Sequence, residues 1–356
     1  MKILFFASIL ALLLFCLPLS PAQACSAFGS GGGGAILMGK SYDWSMPQGL
    51  IYTNKRNVQK KAMSLDPSRP TDFSWISKYG SLTFNQYGRE LPNGGMNEKG
   101  LAIEVLWLNS AEYPAEDSRV GLNEGQWIQY HLDTYASVKE MAENADKLRT
   151  NPVFAKVHHL ACDASGECAV FENIAGKLVI TRGEDGALIT NSTSASSRKY
   201  RRGFSGFGGR KEIPEGSYRS EDRFVTLSHL RKQFSSIAAP RERLMHAFRM
   251  LSAVRSQETS VWNIVYDFSG KSVSFKFLPA GQAVRSLPLA DVDFSCLTPV
   301  RYVDLSATDS QWKNYDAQKN FELVKRGMEE NGSHLPNAEL ITLSLAKYPE
   351  TTKCQE

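Results

Sequence analysis

The chain has 356 residues, 42% hydrophobic and 22% charged, the composition of a folded globular protein long enough for one large core or two smaller ones. Its net charge of +4, from 41 Lys and Arg against 37 Asp and Glu, is too small to argue for a nucleic-acid partner. Beyond an apolar run at the start, no segment approaches the roughly 18 apolar residues of a membrane-spanning helix.

Lys2, the apolar stretch 3–17 and Pro21-Ala22-Gln23-Ala24 form a charged start, a hydrophobic region and an A-x-A cleavage site. That is the pattern of a secretory signal peptide over 1–24. The expected mature chain is exported, periplasmic or secreted, and begins at Cys25. Three roles compete for this cysteine. One is a disulfide partner. Another is the acylated first residue of a lipoprotein, although such signals place Leu at −3 and a small residue at −2, where this chain has Ala22 and Gln23. The third is an N-terminal nucleophile, whose own α-amine, with a pKa of ~7.7–8.0, takes the thiol proton.

From Cys25 the chain reads as a short strand to 28, a glycine turn over 29–34 and a second strand over 35–38. Gly29, Gly31 and Gly34 spell G-x-G-x-x-G. The apolar residues that follow are no helix start, so the glycines are read as a hairpin loop and not a dinucleotide site. Residues 101–108 are apolar enough for a buried strand. Residues 124–135 read as a helix with Trp127, Ile128, Leu132 and Tyr135 on one face. A second helix starts at Ser137, with Glu140 completing a capping box, and runs to about 148. Strand-like runs follow at 157–161, 169–172, 178–181 and 188–191. The Gly-, Ser- and Arg-rich stretch 192–219 reads as a long loop. Its Arg198, Arg201, Arg202 and Arg210 form a solvated basic face or an anion-recruiting one. Helices return at 222–234 and 240–254, the latter through Leu244, Phe248 and Leu251 with Pro240 near its start. A hairpin over 261–277 turns at Ser269-Gly270, and the tail reads as helical over 310–330 and 337–347. Strands and helices alternate without repeat or linker, which predicts a layered α+β domain with two helical layers over a two-sheet core.

Cys25, Cys162, Cys168, Cys296 and Cys354 remain after cleavage. Export favours disulfides, and an odd count leaves one thiol over. Cys162 and Cys168 bracket a turn-like stretch between two apolar runs, so the arms of a hairpin bring them close enough to bridge. Cys296 and Cys354 can then pair and leave Cys25 free. His158 and His159 lie nearby, but the second ligand pair of a zinc site is missing, and no metal is expected.

Five motifs carry a family resemblance: Cys25-Ser26-Ala27-Phe28, Gly39-Lys40-Ser41-Tyr42-Asp43-Trp44, Gly95-Met96-Asn97-Glu98-Lys99-Gly100-Leu101, Thr190-Asn191-Ser192 and Ser220-Glu221-Asp222-Arg223-Phe224. In order and spacing they resemble the choloylglycine hydrolases, the bile salt hydrolases and penicillin V acylases of the linear-amide Ntn-hydrolase group. The resemblance implies a four-layer α-β-β-α sandwich, placed here at 25–300 with a helical C-terminal extension over 301–356. It also implies roles. Cys25 is the nucleophile, Asp43 orients its amine and thiol, the Asn191 amide stabilises the oxyanion, and Arg223 favours the thiolate. No cofactor or metal is needed, and the family is often tetrameric.

Two departures stand out. Lys40 occupies a position where the family usually has Arg, keeping the charge and losing the planar fork. Trp107 stands where bile salt hydrolases carry an oxyanion-hole Asn. Trp44 and Trp107 are expected to form an aromatic wall for substrate beside Cys25, as in the Gram-negative penicillin V acylases, or else to be core. The implied reaction is hydrolysis of a small-molecule N-acyl amide, with an acyl group like that of penicillin V or an N-acyl homoserine lactone. The alternatives are a conjugated bile salt, an N-acylethanolamine or ceramide-type amide, or a non-catalytic binding or envelope protein on the same scaffold.

Overall fold

The computed structural model describes residues 25–30, 36–64 and 71–355. The expected signal peptide, 1–24, and the tip of the glycine turn lie outside the described residues. Among the described residues two large antiparallel sheets dominate. One has six strands, in the order Leu188–Ile189, Ser26–Gly29, Leu37–Asp43, Ser260–Asp267, Ser272–Phe277 and Arg285–Pro288. The other has nine: Lys177–Arg182, Cys168–Ile174, Val157–Asp163, Leu101–Trp107, Pro92–Asn97, Ser81–Asn85, Leu50–Asn54, Arg301–Asp304 and Lys313–Asn314.

The two-residue period of a strand sorts side chains into layers. Ala27, Met38, Ile264 and Tyr266 from the first sheet meet Leu82, Ala102, Leu106 and Leu160 from the second in a shared core. Their neighbours in sequence point the other way. Phe28, Leu37 and Val265 pack under helices Ser220–Arg231 and Pro240–Val254 through Phe224, Leu227, Phe248 and Leu251. Leu101, Ile103 and Phe171 pack under helix Glu124–Thr134 through Trp127, Ile128 and Leu132. This is the expected α-β-β-α sandwich, with both inner faces and both outer faces covered.

The Gly95-to-Leu101 motif acts first as architecture. Asn97 Oδ1 accepts from the N–H groups of Lys99 and Leu101 across the turn, each at 3.0 Å. Its Nδ2 donates to Leu132 O and Tyr135 O at 2.9 and 2.8 Å, capping the helix end above. Gly100 closes the turn at φ +86°. The motif therefore fixes the strand Leu101–Trp107, whose far end reaches the site.

Several expectations are revised. The stretch 192–219 is not one loop, because Ser194–Arg201 is a helix started by the Thr193 side chain on Ser196 N. Arg198 and Arg201 in it pair with Asp185. The helix from Ser137 ends at Glu143, and Leu148–Thr150 is instead a strand pairing with Val120–Leu122. Residues 44–100, mostly unassigned from sequence, supply five strands. The tail does not begin as helix. Arg301–Asp304 joins the nine-stranded sheet before helices Ala317–Asn331 and Ala338–Lys347.

Cys162 and Cys168 face each other across neighbouring strands and are bonded, with Cα atoms 4.1 Å apart. Cys296 and Cys354 are bonded across a sequence separation of 58 residues, a loop whose closure stabilises the fold by roughly 4 kcal/mol on the chain-entropy account. Two disulfides, and the absence among the described residues of a helix long and apolar enough to cross a membrane, are compatible with an exported protein.

Candidate active site

Cys25 is a free thiol, 1% exposed, at the start of the strand Ser26–Gly29. That strand is central: Ser26 pairs with Ser41 on one side and Ala27 with Ile189 on the other. Continuing the second register by two residues sets Asn191 opposite Cys25. Continuing the first brings the end of Leu37–Asp43 alongside, where the Asp43 N–H donates to Cys25 Sγ at 3.4 Å. Two separate stretches of sequence thus approach the thiol from the strands on either side.

Arg223 ties them together. It sits in the first turn of helix Ser220–Arg231, the wrong end for a cation, and its side chain runs inward. Nη1 donates to Cys25 O and Ser26 Oγ, both at 2.6 Å, and Nη2 to Asn191 Oδ1 at 2.8 Å. A guanidinium has only donors, so the Asn191 oxygen must face it and the amide nitrogen must face away. That nitrogen donates one hydrogen to Trp107 O at 3.0 Å and has a second to give.

Asp43 is fully buried. Oδ1 accepts from Ser260 Oγ, and Oδ2 has no hydrogen-bond partner. Burial raises its carboxyl to about 7 against the pull of Arg223 and Lys40. Burial likewise pushes the Cys25 thiol up to about 11, with Lys40 and Arg223 opposing and Asp43 reinforcing. Such a thiol is protonated at neutral pH.

Lys40 lies on the inner face of its strand, between the sheets. Its ammonium pairs with Glu104 Oε2 at 2.8 Å, donates to Val105 O, and lies 4.9 Å from the Tyr42 ring centre. Tyr266 donates its hydroxyl to Glu104. A Cβ at Gly94 would come within 2.3 Å of the Glu104 carboxyl, so glycine there makes room for the pair. Sequence reasoning missed Glu104. Its only signal was a lone charge in the apolar run Leu101–Trp107.

An apolar cavity of about 70 Å³ opens beside Cys25, walled by Tyr42, Trp44, Trp107, Val105 and Ile128. The Trp44 and Trp107 rings lie 5.4 Å apart at 43°, and Tyr42 stacks on Trp262 at 4.8 Å. The structure therefore gathers Cys25, Asp43, Asn191, Arg223, Trp44 and Trp107, and sets Lys40 behind them. His158 and His159 point to opposite faces: His158 bonds Glu172 and Thr190, and His159 stacks on Trp127. Among the described residues no group of three or more His, Cys, Asp or Glu is placed to hold a metal.

A cysteine heading the central strand of an α-β-β-α sandwich, with an Asp, an Asn and an Arg converging on it, defines an amidohydrolase class. Residues 34–268 match the linear amide C–N hydrolases, choloylglycine hydrolase family. The chain belongs to that family. It is 34% identical over 202 residues to a penicillin V acylase of Pectobacterium atrosepticum, a match covering 52% of this chain and 50% of that protein. The chain thus spans about half the length of that curated relative. The penicillin V acylase structure from Agrobacterium tumefaciens superposes with a TM-score of 0.71 at 27% identity, covering 82% of this chain and 98% of the other. A variant of the conjugated bile acid hydrolase from Clostridium perfringens gives a TM-score of 0.60 at 16% identity, covering 82% and 96%, a likeness of fold.

Proposed function

We propose that this protein hydrolyses the amide bond of small N-acyl substrates with Cys25 as an N-terminal nucleophile, after signal cleavage behind Ala24 in an exported, periplasmic or secreted precursor. The observation that carries the reading is the buried Cys25 with its free thiol, its carbonyl tied by one guanidinium to Asn191, with the unpartnered Asp43 Oδ2 among the groups around it. Cleavage supplies the missing piece. The new α-amine is the base a protonated thiol requires, and Asp43 is the carboxylate that holds it. The amine takes the Sγ proton, the thiolate adds to the carbonyl, and the free hydrogen on Asn191 Nδ2 meets the oxyanion. The amine then hands its proton to the leaving amine, and water cleaves the thioester by the same steps reversed. Lys40 contributes its charge from behind the thiol. A homo-oligomer, four copies by the family resemblance, belongs to the same proposal and is read by light scattering.

The aromatic wall beside Cys25 favours a flat aryl group or a single alkyl chain, as in penicillin V or an N-acyl homoserine lactone, packed against the two indoles. The test is a panel of N-acyl amides spanning aryloxyacetyl, alkanoyl and steroid groups, with release of the amine followed. Wild type is expected to turn over the first two. Cys25→Ser is expected to turn over none while melting within a few degrees of wild type. Turnover that survives in Cys25→Ser, or a free Cys25 terminus with no turnover at all, sinks the reading. Asn191→Ala is expected to lower kcat by about 10²–10³ with KM little changed, as for loss of one oxyanion donor; steady-state kinetics check it.

A further inference from the structure

We propose that His158 and Glu172 are a positioning pair for Asn191, fixing the backbone that carries the oxyanion donor. The inference rests on the role given to Asn191 above. Both side chains are buried, on the neighbouring strands Val157–Asp163 and Cys168–Ile174. They point between the sheets, on the opposite side from His159.

His158 Nε2 lies 2.7 Å from Thr190 O, and Nδ1 lies 3.0 Å from Glu172 Oε1. A carbonyl oxygen only accepts, so Nε2 carries a hydrogen, and a further proton lies between Nδ1 and the carboxyl group. The same Glu172 oxygen accepts from Ser194 N at 2.9 Å. The pair therefore grips the chain one residue before Asn191 and three residues after it.

That grip answers a specific need. The strand Leu188–Ile189 is two residues long, and its pairing with the central strand ends at Ile189. Asn191 lies past the end of the ladder, where backbone is ordinarily mobile. Its side chain must nevertheless meet an oxyanion that exists only in the transition state, and small errors of position there reduce the rate strongly. Arg223 fixes the amide oxygen and Trp107 O takes one amide hydrogen. The peptide that carries them is held by His158 and Glu172, which line neither the thiol nor the cavity wall.

A double-mutant cycle tests this. Glu172→Gln keeps the side-chain shape and changes the carboxyl group to an amide, and His158→Gln keeps an amide donor. Each is expected to lower kcat about 10–100-fold, the range for loss of a supporting hydrogen bond, with KM within twofold. In the Asn191→Ala background the same substitutions are expected to change kcat less than twofold, because the group they position is gone. If they lower kcat by the same factor in both backgrounds, the pair is only structural and the proposal falls. If Asn191→Ala itself leaves kcat unchanged, the reading of Asn191 falls and the proposal with it. Glu172→Gln, the less disruptive change, decides the outcome where His158→Gln does not fold.

Discussion

Replacing Arg223 with methionine is expected to lower kcat/KM by about 10³ or more, and stability by about 3–5 kcal/mol, the usual result of stripping one partner from a buried charged network. The guanidinium is 1% exposed and donates to Cys25 O, Ser26 Oγ, Asn191 Oδ1 and Tyr218 O. Methionine fills much of the volume and donates to none of them. The Asn191 amide loses the contact that dictates which end faces outward. Asp43 loses the largest of the nearby charges that hold its carboxyl down. Arg223→Lys keeps the charge without the fork, so activities should fall in the order wild type, Arg223→Lys, Arg223→Met. Kinetics on folded samples, with urea melts alongside, check it. An Arg223→Met protein retaining a tenth of wild-type activity would overturn the account of the site.

The second large effect lies away from the thiol. Lys60→Met is expected to cost about 3–5 kcal/mol of stability at pH 7. The Lys60 ammonium bridges Glu90 Oε2 at 2.6 Å and Asp133 Oδ2 at 2.9 Å, and all three side chains are buried. Trp75 Nε1 and Gln129 Nε2 also donate to Asp133, each at 2.8 Å, and Arg89 pairs with Glu90 at 3.0 Å. Without Lys60 two carboxylates share a dry site with one remaining cation. Burial already raises Asp133 to about 6 despite Lys60, and removing the ammonium drives both carboxyls higher. The sign follows. The variant's native state binds protons that its unfolded state releases at ordinary carboxyl pKa values, so its deficit relative to wild type is largest above pH 7 and shrinks below pH ~5. Urea melts at both ends of that range check it. A deficit that grows on acidification contradicts the account.

What could be read in the sequence was what short stretches encode. Cys162 and Cys168 announce their hairpin because only five residues lie between them. The motifs around Cys25, Asp43, Asn191 and Arg223 announce the site because each role needs one residue type at one place. Contacts between layers were not legible. Lys40 and Glu104 are each a charge in the middle of a buried strand, and neither segment shows that they face each other. The two charges together were the available signal, since a buried ion without a partner is prohibitive. The helix Ser194–Arg201 hid in a stretch rich in loop-forming residues, because its start depends on one Thr193 side chain. The strands between 44 and 100 carry many polar residues, such as Asn54, Thr83 and Asn85, that bond one another inside the sheet and break the apolar alternation.

Trp107 has two ends with different duties, and this matters to anyone reshaping the range of acyl groups accepted. Its indole is a wall of the cavity, while its carbonyl holds the Asn191 amide. A library that shrinks or enlarges this side chain also perturbs the strand end on which Asn191, the proposed oxyanion donor, leans, so gains in selectivity there are expected to arrive with slower chemistry. Trp44, whose ring lies against that of Trp107, bonds through its backbone N–H to Thr259 O and not to Asn191. Under the proposed function, substitutions at Trp44 are therefore expected to change the acyl preference without disturbing the support of Asn191.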